Sequence, residues 1–508
     1  MASVMTTRIG RASLLALVLL ACDETTAEPR GGADAAADAA VPLDASPEAN
    51  LDAEPPAAPF QAAPASASMF GQVPVVLTGD FSALGEIRAV TFNDIRAVEV
   101  VAAPSSIAVR VQGAPTPGPA TVVVTGTNGE VSSATAFVYE PPVGGAPLTW
   151  AAFGASFTQG AQSGGITPHG QRMSWASQVA RAAGVFLGPP LFVEGFAPTL
   201  LPADFVGACD TQVDPGALAG QVVRSLTDPE TGRADLRRGR QDPTLPTRNF
   251  AVGGARVAQV IAPAAGILGL IERITELPDG TSTELGGPPL AHSQLDRLVA
   301  LDPDIGVSAD LLGNDAQTGL LDTGAIDLER MTPVAELRAQ LDALAERLGA
   351  LHGHFFIANF PPIEVLPRVG DLRANAIAAG LETEASYQQK LAEMNQRLAA
   401  YNDALGAALA PYPNLHVVDV SGEIQRLVRD GLVLDGQRLG PEKFGGIFSL
   451  DFGHLTDTGY ALMANWFIAA INTTLDLDVP PVDLSVVLAG DALSPAGLTA
   501  AGVDCRVE

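Results

Sequence analysis

The sequence predicts an α/β protein: a parallel sheet covered on both faces by helices, preceded by a small all-β sandwich. From about 147 to 475, strand-like runs alternate with helical ones, the pattern of a parallel sheet with crossover helices. From about 66 to 141, short alternating strands are separated by turn residues, the pattern of a small sandwich. The chain has 508 residues, too many for one ordinary domain, and its 47% apolar residues can fill more than one core.

The first 22 residues read as an export signal. Arg8 and Arg11 form a positive start, and Leu14 to Leu20 is an apolar run too short to span a bilayer. Leu19-Leu20-Ala21-Cys22 resembles a bacterial lipobox, which implies that Cys22 is lipidated and becomes the mature N-terminus. The expected location is the bacterial cell envelope, with the chain held to a membrane by lipid rather than crossing it. Residues 23 to 65, rich in Ala, Asp, Glu and Pro, have little to offset the entropy of ordering and are expected to form a disordered tether. The formal net charge of −28 argues against nucleic acid as a partner, because phosphate backbones reward Lys and Arg.

In the β region the expected strands are Val73 to Leu77, Ala89 to Phe92, Ile107 to Val111, Ala120 to Val124 and Ala136 to Tyr139. Turns at Gly79-Asp80, Asn93-Asp94 and Asn128-Gly129 punctuate them. Leu77-Thr78-Gly79-Asp80-Phe81, Val90-Thr91-Phe92-Asn93 and Phe137-Val138-Tyr139 resemble the IPT/TIG immunoglobulin-like family, which implies a spacer or a platform for a glycan or protein partner. Glu140 to Gly145 then reads as a linker.

In the α/β region, Asn249 to Val252, Ile305 to Ser308, His354 to Ala358 and Leu415 to Val420 are the expected buried strands. Val334 to Leu351 and Tyr387 to Leu409 carry leucine at helical spacing and are expected to face the core. Residues 185 to 247 read as a partly structured insertion beside the active site, and residues 476 to 508 as a C-terminal tail.

Two stretches carry candidate chemistry. Phe153-Gly154-Ala155-Ser156 ends a short apolar run in a small-residue turn, which would expose the Ser156 hydroxyl at the carboxyl end of a strand. A serine needs a base to become a nucleophile, and Asp451-Phe452-Gly453-His454 offers one with a carboxylate three residues before it. Together with Asn249 to Ala255 and Leu312-Gly313-Asn314-Asp315, these blocks resemble, in order, those of the SGNH or GDSL-like hydrolases.

The resemblance implies a three-layer, flavodoxin-like α/β/α fold over residues 147 to 475. It also implies a Ser156–His454–Asp451 triad, with oxyanion donors at the Ser156 N–H, the Gly254 N–H and the Asn314 amide. The reaction implied is carboxylic ester hydrolysis, of a small-molecule, lipid or glycan ester, with no metal or organic cofactor. Ala155 stands where that family usually has an aspartate, and restoring the carboxylate there is expected to leave activity unchanged or higher. A polysaccharide O-acetyl esterase and a catalytically weak adhesion or scaffold lipoprotein are the competing readings. Cys209 and Cys505 are either a disulfide or two free thiols. None of the remaining histidines has H-E-x-x-H spacing, and no metal site is expected.

Overall fold

The structure is a computed structural model that describes residues 58–69, 71–114, 116–141, 149–197, 199–206, 209, 215–277 and 292–505. Cys22 and the export signal lie outside the described residues, as do most of the tether and the linker from 142 onward.

The N-terminal unit contains two sheets. One has four strands in the order Phe60–Ala63, Gly71–Gly79, Ser106–Gln112, Val98–Ala103. The other has five, in the order Ser66–Ser68, Gly129–Glu140, Gly118–Gly126, Ile87–Phe92, Ile95–Arg96. Both sheets contribute to one apolar core, with Leu77, Ile107 and Val109 from the first and Val90, Val122 and Phe137 from the second. Alternation along Gly118–Gly126 sends every second residue inward, whereas the edge strand Val98–Ala103 buries none. The first strand begins at Phe60, inside the stretch expected to be tether, because Phe60 and Ala62 are buried in this core.

The second unit is mixed α/β, as expected. Its central sheet is parallel, in the order β1 (Trp150–Ala152), β2 (Ile305–Ser308), β3 (His354–Ala358), β4 (Leu415–Val418). Every residue of β1 and β2 is buried, which is why these strands read as nearly continuous apolar runs. Asn249 makes a parallel bridge to Ala152 on the free side of β1, with Phe250 N donating to Ala152 O at 2.8 Å and Val252 N to Gly154 O at 3.1 Å. The expected strand at 249–252 is thus a single bridge that bends away toward Gly253-Gly254.

Helices pack in two groups. Trp175–Ala183 lies against Asp457–Leu475, where the Trp175 and Phe467 rings stack at 4.1 Å. Val334–Gly349 lies against Glu384–Leu409 and buries Leu337, Leu341, Leu344 and Leu348, as the leucine spacing predicts. The expected C-terminal tail is folded: Leu484–Gly490 and Pro495–Ala500 are helices, and Thr458 donates twice to Asp491. Among the described residues no helix is long and apolar enough to cross a membrane.

The insertion is shared between the two units. Phe186 and Leu245 are buried in the core of the β unit, and Arg96 N donates to Asp242 Oδ2 at 2.8 Å. Its middle, through Phe205, meets the loop that carries Asp451 and His454.

Candidate active site

The segments after β1, the Asn249 bridge and β2 meet at the carboxyl end of the sheet, where open α/β sheets bind ligands, and the Asp451–His454 turn reaches them through Gly164 and Phe157. After β1 the chain turns at Gly154 and enters a one-turn helix, α1 (Ser156–Gln159), so that Ser156 is its first residue. Gly154 has φ +126°, and a Cβ there would come within 2.8 Å of both Asp310 Oδ1 and Ser308 Oγ. Only glycine fits. The Gln294 side chain clamps the Gly154 peptide, accepting from its N–H at 2.8 Å and donating to its carbonyl at 3.0 Å.

Asp310 is the residue that sequence reasoning missed. It follows β2, is almost fully buried, and binds the serine turn from beneath. Oδ1 accepts from Ala155 N at 3.0 Å and from Thr158 Oγ1 at 2.7 Å, and Oδ2 accepts from Phe157 N at 2.7 Å. The residues on both sides of Ser156 are therefore fixed by one carboxylate. Burial pushes the Asp310 carboxyl up, against the opposing effect of these hydrogen bonds. The Ser156 N–H itself makes no hydrogen bond among the described residues.

The glycine segment is positioned the same way. Gln159 Oε1 accepts from Gly253 N at 2.7 Å, while the Gly254 N–H has no partner among the described residues. Gly254 has φ +87°, which a residue with a side chain rarely adopts. Asn314 lies in a short helix, α2 (Gly313–Gln317), and its Nδ2 donates to Ala255 O at 2.8 Å, beside Gly254. Asp315 holds this corner from below, accepting from Val257 N at 2.9 Å and Thr332 Oγ1 at 2.5 Å.

Asp451 and His454 sit on a tight turn. Ser449 N donates to His454 O and Phe452 N to Ser449 O, each at 2.8 Å. Asp451 Oδ2 lies 2.5 Å from His454 Nδ1 and also accepts from Gly164 N at 2.7 Å. Oδ1 accepts from His454 N, Gly453 N and Ser449 Oγ. A carboxylate can only accept, so Nδ1 donates and Nε2 is left to act as a base. Burial pushes the Asp451 carboxyl up, but the charge of His454 and the hydrogen bonds from His454 and Gly453 outweigh it and hold the group well below the usual carboxylate range.

Thr456 caps the next helix, accepting from Gly459 N at 3.0 Å, which fixes the end of the turn. Phe452 has φ +54°, a costly conformation for an aromatic residue, and its ring packs against Phe205 and Phe444. The His454 ring lies 5.5 Å from that of Phe157, the neighbour of Ser156. No hydrogen bond joins Ser156 Oγ to His454 among the described residues, and such bonds commonly tighten only when substrate is present.

Cys209 and Cys505 are joined by a disulfide, and Cys505 belongs to the apolar cluster that includes Phe205, Phe444 and Phe452. Among the described residues, no group of three or more His, Cys, Asp or Glu is arranged to hold a metal ion.

A family model described as GDSL-like Lipase/Acylhydrolase matches residues 151–467, more than half of the chain. The chain belongs to that family, and the family is one of ester hydrolases. No curated protein matches the chain. Among solved structures, BT4096, a gut microbial diltiazem-metabolizing enzyme, is 12% identical with a TM-score of 0.28. That alignment covers 65% of this chain and 48% of the other, so the chain spans about half of that protein's length. The protein YXIM of Bacillus subtilis is 10% identical with a TM-score of 0.27, over 83% of this chain and 80% of that one.

Proposed function

We propose that the chain is an exported, lipid-anchored serine hydrolase that cleaves carboxylic esters through an acyl-enzyme. His454 Nε2 takes the Ser156 proton as Oγ attacks the ester carbonyl, and returns it to the leaving alcohol. Asp451 orients the imidazole and stabilises its protonated form. The Ser156 N–H, the Gly254 N–H and the Asn314 amide stabilise the oxyanion. Water, activated by the same histidine, then releases the acid.

The observation that carries this reading is the pair of N–H groups on Ser156 and Gly254. Their neighbours at 155, 157 and 253 are bonded to protein carboxylate or amide oxygens, while these two are left without partners among the described residues. The two helix groups around the parallel sheet support a flavodoxin-like layering, and the two-sheet N-terminal unit supports the IPT/TIG reading, with a glycan or protein as its partner. Lipidation at Cys22 would hold the enzyme at the cell envelope.

Hydrolysis of a short p-nitrophenyl ester tests the mechanism. Ser156→Ala is expected to abolish turnover, and Asn314→Ala to slow it by about 10²–10³, the usual loss for one oxyanion donor. Wild-type turnover by Ser156→Ala would remove the assignment. Mass spectrometry of the mature N-terminus tests the anchor: a lipid on Cys22 is expected, and an unmodified terminus would refute it.

A further inference from the structure

Arg368 opens a helix, α3 (Arg368–Ala378), directly beside the histidine turn. Its backbone N donates to Phe452 O at 3.1 Å. Its side chain lies against Gly453, where a Cβ would come within 3.1 Å of Arg368 Cδ, 3.2 Å of Nη1 and 3.4 Å of Nε. On the other side, Nη2 donates to Oε1 of Gln317, one turn beyond Asn314 on α2. The guanidinium therefore stands between the segment that carries the oxyanion amide and the turn that carries the base.

A guanidinium has five N–H donors, and among the described residues this one uses only one of them. Nε is buried with no partner, and Nη1 makes no hydrogen bond among the described residues. No carboxylate forms an ion pair with it among the described residues, although Asp451 and Asp322 act on it electrostatically from farther off. The nearby cation Lys443 differs: it forms an ion pair with Asp371. Buried polar groups without partners are rare, and of the unbonded donors Nη1 is the one not sealed from solvent, so it is the donor able to meet an oxyanion beside the reaction centre.

We propose that Arg368 binds an anionic group, a carboxylate or a phosphate, carried on the alcohol side of the ester. The side follows from its place against Gly453, bonded to His454, because that histidine returns the proton to the leaving alcohol. The inference rests on the ester-hydrolase reading of the same site. It narrows the substrate to esters of anionic alcohols, such as a hydroxy acid or a phosphorylated polyol. In a chain of net charge −28, a cation at this point offsets the general repulsion that such a substrate meets on approach.

The test compares acetate release from three acetyl esters: 4-acetoxybenzoate, 4-acetoxyphenyl phosphate and the neutral 4-acetoxybenzamide. The wild type is expected to prefer at least one anionic ester over the neutral one by about tenfold or more in kcat/KM, and the better of the two identifies carboxylate or phosphate as the ligand. Arg368→Met is expected to bring that preference down to about unity, mainly through KM, and Arg368→Lys to restore part of it. No anionic preference in the wild type, or an unchanged preference in Arg368→Met with both rates reduced alike, would overturn the proposal and leave Arg368 as a brace for the histidine turn.

Calorimetric titration of the Ser156→Ala protein with 4-acetoxybenzoate and 4-acetoxyphenyl phosphate reads the same contact without turnover. Binding lost on adding Arg368→Met supports the anion site, and binding that is absent or unaffected refutes it. Failure of the wild type to cleave any of the esters would count against the hydrolase reading, while the titration still decides on the anion site.

Discussion

At residue 155 the side chain is buried, and the backbone N–H is already bound to the Asp310 carboxylate. The missing aspartate left the rigidity of the serine turn open at the level of sequence. The structure supplies a carboxylate from 155 positions later, against the backbone of the turn instead of within it. Nothing local in Asp310-Leu311-Leu312-Gly313-Asn314 marks the first residue as a partner of Ala155, because the pairing arises only once β1 and β2 lie side by side. Asp310→Asn presents an NH₂ to donors that need an acceptor, and kcat is expected to fall by about 10²-fold with KM little changed, as for a small displacement of a reacting group. Equal kcat would show that the turn holds without the carboxylate. The expectation for Ala155→Asp is now reversed: a second buried carboxylate beside Asp310 should lower both activity and melting temperature. Higher activity in that variant, measured on the same ester, would contradict this.

Among elements, the blocks after β1 and β2 were legible in the sequence, because turn glycines and an apolar run are local signals. The C-terminal helices were not legible, because Leu484–Gly490 and Pro495–Ala500 are short and are held by distant partners such as Thr458 and Gln437. The helix Gly266–Glu276 carries a buried Glu272, whose carboxyl is pushed up to about 7, first by burial and opposed by the Ala264 N–H and by Arg297. Below pH 4.5 both folded and unfolded chains keep that proton. Between 4.5 and about 7 only the folded chain does, so stability falls as pH rises through this window, by on the order of 3 kcal/mol. Glu272→Gln should flatten this part of the pH–stability curve and raise the melting temperature at neutral pH. An unchanged slope in thermal scans from pH 4.5 to 7 would contradict the assignment. Reduction of the Cys209–Cys505 disulfide, which closes a loop of 296 residues, should cost about 2–5 kcal/mol and loosen the Phe205–Phe452 contact beside His454. Melting temperature and KM with and without reductant check this.

For the whole molecule, the stretch Glu140 to Gly145 reads in the sequence as a linker between two domains. The structure describes a closer dependence, with Phe186 and Leu245 of the insertion buried in the β core and Arg172 of the α/β unit 3.7 Å from Glu99. No periodicity marks such a contact, since both side chains come from irregular segments. A chain beginning near Gly145 would uncover both side chains at roughly 1.5–3 kcal/mol each and is expected to melt lower and aggregate more readily than the chain with its β unit. Equal melting temperatures would show the contact to be incidental. Ser156 is the proposed nucleophile of this assembled site. Its most direct test is to treat the protein with a fluorophosphonate and map the adduct by peptide mass spectrometry. A single adduct on Ser156, lost in His454→Ala, is the predicted result, and an adduct on another residue, or none on active protein, would contradict the account.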